Sequence, residues 1–348
     1  MYPQLLIDLN KLGENLDVLS GLAHRGDCSL MIVTKSFCAD ERIVAEILKN
    51  DGVEYLADSR IQNIASYADR VHIAGKETVL LRLPMASEAD EVVRHADLSL
   101  NSEIETIRLL DQAAGRQNKT HKVLLMIDLG DLREGMFYQD EEAIMAACDE
   151  ILKMRHVKLF GIGTNLTCYG AIIPKEDNLG QLAGLAGRIQ RRFRTTLAMV
   201  SGGNSSSVYL IPKRQLPAGI NNLRLGEAFI LGNETAYTSR IPGTCNDAVL
   251  LRAQIIECKE KPSLPIGEVG VDAFGEVPHY EDKGIITRAI LAVGKQDTNP
   301  DGLTPMDPAV EILGGSSDHL LVNVTGTDYH LGDTLDFRLD YGAFLKLF

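Results

Sequence analysis

LMIVTKSFCAD, residues 30–40, sets one cation at the end of an apolar run. Leu30, Met31, Ile32 and Val33 are apolar without alternation, which reads as a strand buried on both faces, as in a parallel sheet. Lys35 follows, then a small-residue turn and a helix starting near Asp40. The same succession repeats to about residue 235, with strand candidates SLMIVTKS, EYLADS, TVLLRLP, DLSLNS, KVLLMIDLG, KLFGIGTNL, LAMVSGGNSS and LRLGEAFILG. Amphipathic segments lie between most of them. DERIVAEILKNDG has helical spacing and a glycine stop. SEIETIRLLDQAAGRQN opens on Ser102 as N-cap with Glu105 three residues on, as in a capping box. DEEAIMAACDEILKM carries acids in its first turn, where the helix dipole favours them.

About eight strand–helix units over roughly two hundred residues fit a (β/α)8 barrel. The competing architecture is an open doubly wound sheet, which would place a glycine-rich phosphate loop after its first strand. Here a lysine follows the first strand and the glycine-rich loop, SGGNSS, comes late, so the order favours the barrel. After about residue 240 the texture changes. DAVLLRAQIIECKEK, GIITRAILAVG, AVEILGGSSDHLLVNV and DTLDFRLDYGAFLKLF are β-branched runs separated by Gly, Pro and Asp turns, without helical period. The expectation is an α/β barrel over 12–235 followed by an all-β domain over 236–348, which the strand-like 1–11 joins.

The bulk numbers narrow the partners. A formal net charge of -13 disfavours nucleic acid and anionic membrane. An apolar fraction of 45% is ordinary for a globular protein. Six cysteines form no CxxC pair and no zinc-ligand spacing, so no metal is expected and free thiols in the cytoplasm are. No signal peptide and no membrane-length apolar run is expected.

In a barrel, catalytic groups sit at the C-terminal ends of strands, and phosphate is often held by the loops after strands seven and eight. Lys35 ends the first strand. Desolvated there, its ammonium would lose its proton more easily and could attack a carbonyl; the plainer reading is a lysine reaching out of the barrel mouth. After strand seven, Gly202 and Gly203 let backbone amides approach a ligand, while Asn204, Ser205 and Ser206 offer hydrogen bonds and caps for a following helix. Arg224 and Gly226 mark strand eight. Arg133, in IDLGDLREG after strand five, could fork onto a carboxylate. Asn165, in GIGTNL, could point inward from strand six. The GGSSDH run of the β-domain groups Ser316, Ser317, Asp318 and His319, but a hydrolytic triad needs spatial adjacency, and the chain has no GxSxG elbow. A strand-end lysine, a phosphate cradle and an arginine for a ring nitrogen are together what a barrel holding pyridoxal phosphate requires.

At these residues the chain resembles the fold-type III pyridoxal-phosphate enzymes, the alanine racemase class. LRLGEAFILGNET, DAFGEVPHY, RAILAVGKQD and GGSSDHLLVNV bring it nearest to the amino-acid racemase branch that includes ornithine racemases. The resemblance implies that Lys35 links to pyridoxal 5′-phosphate. It also implies that Arg133, in the motif D-x-G-x-x-R-x-G from Asp128 to Gly135, binds the substrate carboxylate, with Ser317 also at the substrate. Asn165 falls where the class has a histidine against the cofactor ring. Gly203, Asn204 and Ser205 match the phosphate loop, Arg224 faces the ring nitrogen, and the amides of Gly226 and Glu227 hold phosphate.

The departures are informative. Met126 stands where the class has a carbamylated lysine, Ala39 where it has a phosphate-binding tyrosine, and Phe274 where it has the tyrosine second base. Phenylalanine carries no proton, so Asp318, His319 or Tyr280 become candidates, with Asp318 and His319 preferred. The implied function is two-base racemisation of a free basic amino acid, ornithine first, by a homodimer sharing its active sites. The alternatives are a decarboxylase of the same fold type, a metal-assisted aldolase or dehydratase, whose His-x-Cys pair is missing, or a non-enzymatic cofactor-binding protein.

Overall fold

The computed structural model describes residues 1–348 except 272–274 and 276. The chain divides into two compact units, Leu9–Cys245 and a second built from Met1–Asp8 with Asn246–Phe348.

In chain order, β1 is Gln4–Ile7 and α1 is Leu9–Arg25. Then come β2 Ser29–Val33, α2 Glu41–Leu48, β3 Tyr55–Asp58, α3 Ile61–Ile73, β4 Glu77–Leu80 and α4 Ala89–His95. Next are β5 Leu98–Asn101, α5 Ile104–Arg116, β6 His121–Asp128, a two-residue β7 Met136–Phe137, and α6 Glu141–Lys153. The first unit ends with β8 Val157–Gly163, α7 Glu176–Phe193, β9 Met199–Ser201, β10 Asn222–Leu225 and α8 Glu227–Leu231. The parallel order β5-β4-β3-β2-β10-β9-β8-β6 closes on itself through β5–β6 pairing. This is the eight-stranded α/β barrel. Its interior is filled by Met31, Val33, Ala57, Val79, Leu98, Leu100, Leu124, Met126 and Met199, so it is a packed core whose chemistry must lie at a rim.

Local physics explains several of the helix starts. Asp40 caps α2 by accepting from the Arg42 and Ile43 amides, and Asp140 caps α6 by accepting from Ala143. The Ser102 capping box does not form. Helix α5 begins at Ile104 with Glu103 as an uncapped N-cap. After β9 the expected helix is replaced by a 3₁₀ turn, Val208–Leu210. LRLGEAFILG is also shorter as a strand than expected: β10 stops at Leu225, and Gly226 is the N-cap of α8. The barrel unit runs on to Cys245 because 232–245 is tied back to it. Thr244 Oγ1 donates to the Gly232 and Ile241 carbonyls, and the Cys245 amide donates to Asn15 Oδ1 of α1.

The second unit is antiparallel. Strand β11 (Val249–Pro262) pairs with β1 and with β16 (Thr334–Leu339) along its first half, and with β12 (Ile285–Leu291) along its second. Strands β13 (Leu303–Pro305), β14 (Glu311–Gly315) and β15 (Leu320–Asn323) complete the order β13-β16-β11-β12-β15-β14. The last apolar run is part helix: Asp340 caps α9 (Tyr341–Phe344) by accepting from Ala343. No helix among the described residues is long and apolar enough to cross a membrane.

Candidate active site

Lys35 opens a 3₁₀ turn directly after β2. By area it is exposed, but protein closes round it, and burial is the first cause that lowers its pKa below 10.5. The neighbouring Arg133 cation lowers it further, while Cys168, Asp58 and Glu134 oppose. Beside Lys35, the Thr34 hydroxyl lies 2.6 Å from Asp58 Oδ2, and Asp58 Oδ1 accepts from the Arg60 amide and Asn63 Nδ2. Asp58 is fully buried, and desolvation raises its carboxyl pKa despite these bonds.

Arg133 lies in the loop beyond β6. Its guanidinium forks onto the Glu134 carboxylate, Nε to Oε2 and Nη2 to Oε1. Glu134 Oε1 also accepts from Asn165 Nδ2, and Asn165 Oδ1 accepts from Arg224 Nη2 at 2.5 Å. Arg224, in β10, is 2% exposed. It donates to the Thr164 carbonyl at 2.6 Å and to Ser201 Oγ. Ser201 in turn donates to Asn222 Oδ1 at 2.6 Å. A continuous relay thus runs across the rim from Arg133 through Glu134 and Asn165 to Arg224. Burial pulls the Arg224 guanidinium down to about 10, with Glu134 partly offsetting this, and it stays charged at neutral pH.

The two late loops are laced together. Ser205 Oγ accepts from the Gly226 and Ala228 amides at 3.3 and 3.2 Å, so its own hydrogen remains available. Asn204 Oδ1 accepts from the Ser206 amide, while Nδ2 donates to the Leu166 carbonyl and to Cys168 Sγ at 3.3 Å. Gly203 has φ 110°, and a Cβ there would lie 2.8 Å from Ser207 Oγ. Glu227 is the first residue of α8.

These residues fit a phosphorylated aldehyde cofactor. An amine of lowered pKa, a glycine-led cradle and a buried guanidinium share one rim. In addition, the buried hydroxyls Ser36 Oγ, Thr164 Oγ1 and Ser206 Oγ, beyond the ends of barrel strands one, six and seven, have no hydrogen-bond partner among the described residues.

The barrel unit therefore gathers Lys35, Arg133, Asn165, Gly203, Asn204, Ser205, Arg224, Gly226 and Glu227 at the C-terminal ends of its strands. Ser317, Asp318 and His319 belong to the other unit, exposed at the β14–β15 turn, where Asp318 Oδ1 accepts from Gln296 Nε2 at 2.8 Å. Tyr280 is also exposed, and Phe274 lies outside the described residues.

Sequence reasoning missed Glu134, Asp131 and Cys168. Glu134 and Asp131 occupy variable positions of D-x-G-x-x-R-x-G, where the motif itself gives no signal. Asp131 is 1% exposed and accepts from the amides of Cys168, Tyr169 and Ile172, which fixes the loop after β8. Among the described residues, no group of three His, Cys, Asp or Glu side chains could hold a metal ion.

Known proteins share both the sequence and the architecture. The ornithine racemase of Acetoanaerobium sticklandii is 51% identical over 350 residues, covering 100% of this chain and 97% of its own. The lysine racemase of Thermotoga maritima is 38% identical over 349 residues, covering 99% and 96%. Among solved structures, the alanine racemase of Bartonella henselae with covalently bound pyridoxal phosphate superposes with a TM-score of 0.72 at 16% identity. That match covers 100% of this chain and 97% of the other. Residues 7–233 match the family described as alanine racemase, N-terminal domain, and the chain belongs to that family.

Proposed function

We propose that this protein is an amino-acid racemase that uses pyridoxal 5′-phosphate and acts on a basic amino acid, ornithine first. One observation carries the substrate: 51% identity along the whole chain to an ornithine racemase. When bound, the cofactor supplies an electron sink that makes the α-proton of an attached amino acid acidic.

The chain's own residues do the rest. Lys35 would hold the cofactor's aldehyde carbon, and its amine would carry the α-proton on one face; burial and the neighbouring Arg133 cation, which lower its pKa, favour the neutral amine that such a base needs. Arg133 holds the substrate carboxylate. Gly203, Asn204, Ser205 and the amides of Gly226 and Glu227 hold the phosphate. Arg224, charged and hydrogen-bonded to Asn165, would meet the ring nitrogen and disfavour its protonation. Inversion needs a proton on the opposite face, assigned to Asp318 of the partner subunit or His319 of the partner subunit, with Ser317 at the substrate. This makes the working form a homodimer. Six free thiols support a reducing cytoplasm as its compartment.

The test is α-proton exchange of L-ornithine in deuterated water, with a chiral readout, beside Lys35→Ala. Exchange with inversion, lost in the variant, is expected. No exchange with L-ornithine, or equal turnover of alanine, would overturn the substrate.

A further inference from the structure

We infer that Glu134 is a positioning residue that aims Arg133 at the substrate carboxylate and locks Asn165 toward Arg224. The inference rests on the racemase reading above and adds a residue that the reading does not use.

The backbone brings the two neighbouring side chains together. Adjacent residues of an extended segment point to opposite faces. Here the loop turns back on β6 through Gly130 at φ 109°, Leu132 at φ 55° and Gly135 at φ 120°. A Cβ at Gly135 would lie 2.7 Å from the Asp128 amide nitrogen, so the loop closes only with glycine there. Leu132 holds a left-handed conformation that a branched side chain rarely adopts. The outcome is a fork-to-fork contact that uses Arg133 Nε and Nη2 and leaves Nη1 for a substrate carboxylate.

Glu134 also decides the orientation of Asn165. By accepting from Nδ2 it turns Oδ1 toward Arg224 Nη2. The Glu134 side chain is 14% exposed, against 41% for Arg133, so the carboxylate is the inner, fixed partner and the arginine the outer one. Its charge acts on Lys35, Arg133 and Arg224 alike. Nearby on β6, Met126 is buried in the barrel core and has no charge to offer Arg133.

The test compares wild type with Glu134→Gln, Glu134→Asp and Arg133→Ala in the cofactor-loaded protein. It measures racemisation of L-ornithine, and calorimetric binding of L-ornithine against L-ornithinamide, which lacks the carboxylate. A third readout is pyridoxal phosphate affinity of the cofactor-free protein. Glu134→Gln is expected to raise KM about tenfold with kcat changed less than about threefold, the signature of lost ground-state positioning. It should shrink the acid-over-amide preference about tenfold and leave cofactor affinity within about twofold. Glu134→Asp should recover part of the preference because it restores the charge.

An unchanged KM and an unchanged preference in Glu134→Gln, in a wild type that racemises ornithine, would overturn this inference alone. A parallel fall in cofactor affinity would overturn it in favour of a cofactor-holding role. A wild type that neither binds nor exchanges ornithine would overturn the racemase reading and this inference with it.

Discussion

Removing the Asp131 carboxylate should open the loop that carries Asn165 and Cys168 without unfolding the barrel. Asp131 is 1% exposed and its oxygens accept from the amides of Tyr169 at 2.9 Å, Ile172 at 3.1 Å and Cys168 at 3.3 Å. Thr167 at φ 57° and Ala171 at φ 53° show that the turn is held against local preference, so these bonds offset strain. Hydrogen bonds to a charged acceptor contribute about 1.5–3 kcal/mol each. The loop is exposed at Tyr169, so amides freed by truncation recover much of this from water. The net loss for Asp131→Ala is therefore about 3 kcal/mol, or about 150-fold in the opening equilibrium. Amide hydrogen exchange reads this directly, because local opening governs protection in such segments. The amides of Cys168, Tyr169 and Ile172 should exchange about 150-fold faster, those of the barrel strands unchanged. Asp131→Asn, with one acceptor oxygen left, should fall between. Protection within threefold of wild type at these three amides would refute the reasoning.

Further outcomes follow from other sites. Gly203→Ala places a Cβ 2.8 Å from Ser207 Oγ on a backbone with φ 110°, so pyridoxal phosphate affinity of the cofactor-free protein should drop at least about tenfold in a fluorescence titration. His121 is buried beside Ser99 Oγ, and desolvation pushes its pKa down to about 4. It is neutral in the fold, whereas the unfolded chain takes up the proton near 6.5. Stability from this group is therefore full above pH 6.5 and is lost as pH falls toward 4, by about 3 kcal/mol. Urea midpoints should show this loss in wild type and not in His121→Gln. The Lys35 pKa is lowered, so the strain of keeping it charged is present below its folded pKa and is relieved as pH rises toward 10.5. Borohydride trapping of pyridoxal on the cofactor-free protein should therefore have its pH midpoint below 10.5, and lower still in Asp58→Asn, because Asp58 favours the ammonium form. A midpoint at or above 10.5 would contradict this.

Much of the fold was legible because its signals are local. Buried parallel strands are apolar on both faces, and residues 30–33 announce that before any contact is known. Asp40 and Asp140 sit at helix starts where short acceptor side chains belong, and both cap as their chemistry dictates. The misreadings share a cause. Ser102 has the composition of a capping box, yet the chain enters α5 one residue later. LRLGEAFILG is mostly apolar on both sides of Gly226, and only the turn there separates strand from helix. SGGNSS reads as a helix start, but its side chains are spent on Gly226, Ala228 and Leu166, and the segment ends in a 3₁₀ turn.

By itself the sequence determined the alternation that closes into a barrel, the antiparallel texture after residue 240, the lysine at the first strand end and the glycine-led loops after strands seven and eight. Each depends on the chain within a few residues of itself, where periodicity and side-chain size act. Tertiary structure alone decided that Glu134 would face Arg133, that Asn165 would turn its carbonyl to Arg224, and that Asp131 would clamp a loop about forty residues away. The last two pairings join separate strand ends and exist only once the barrel has closed, and the first depends on a loop that folds back onto β6.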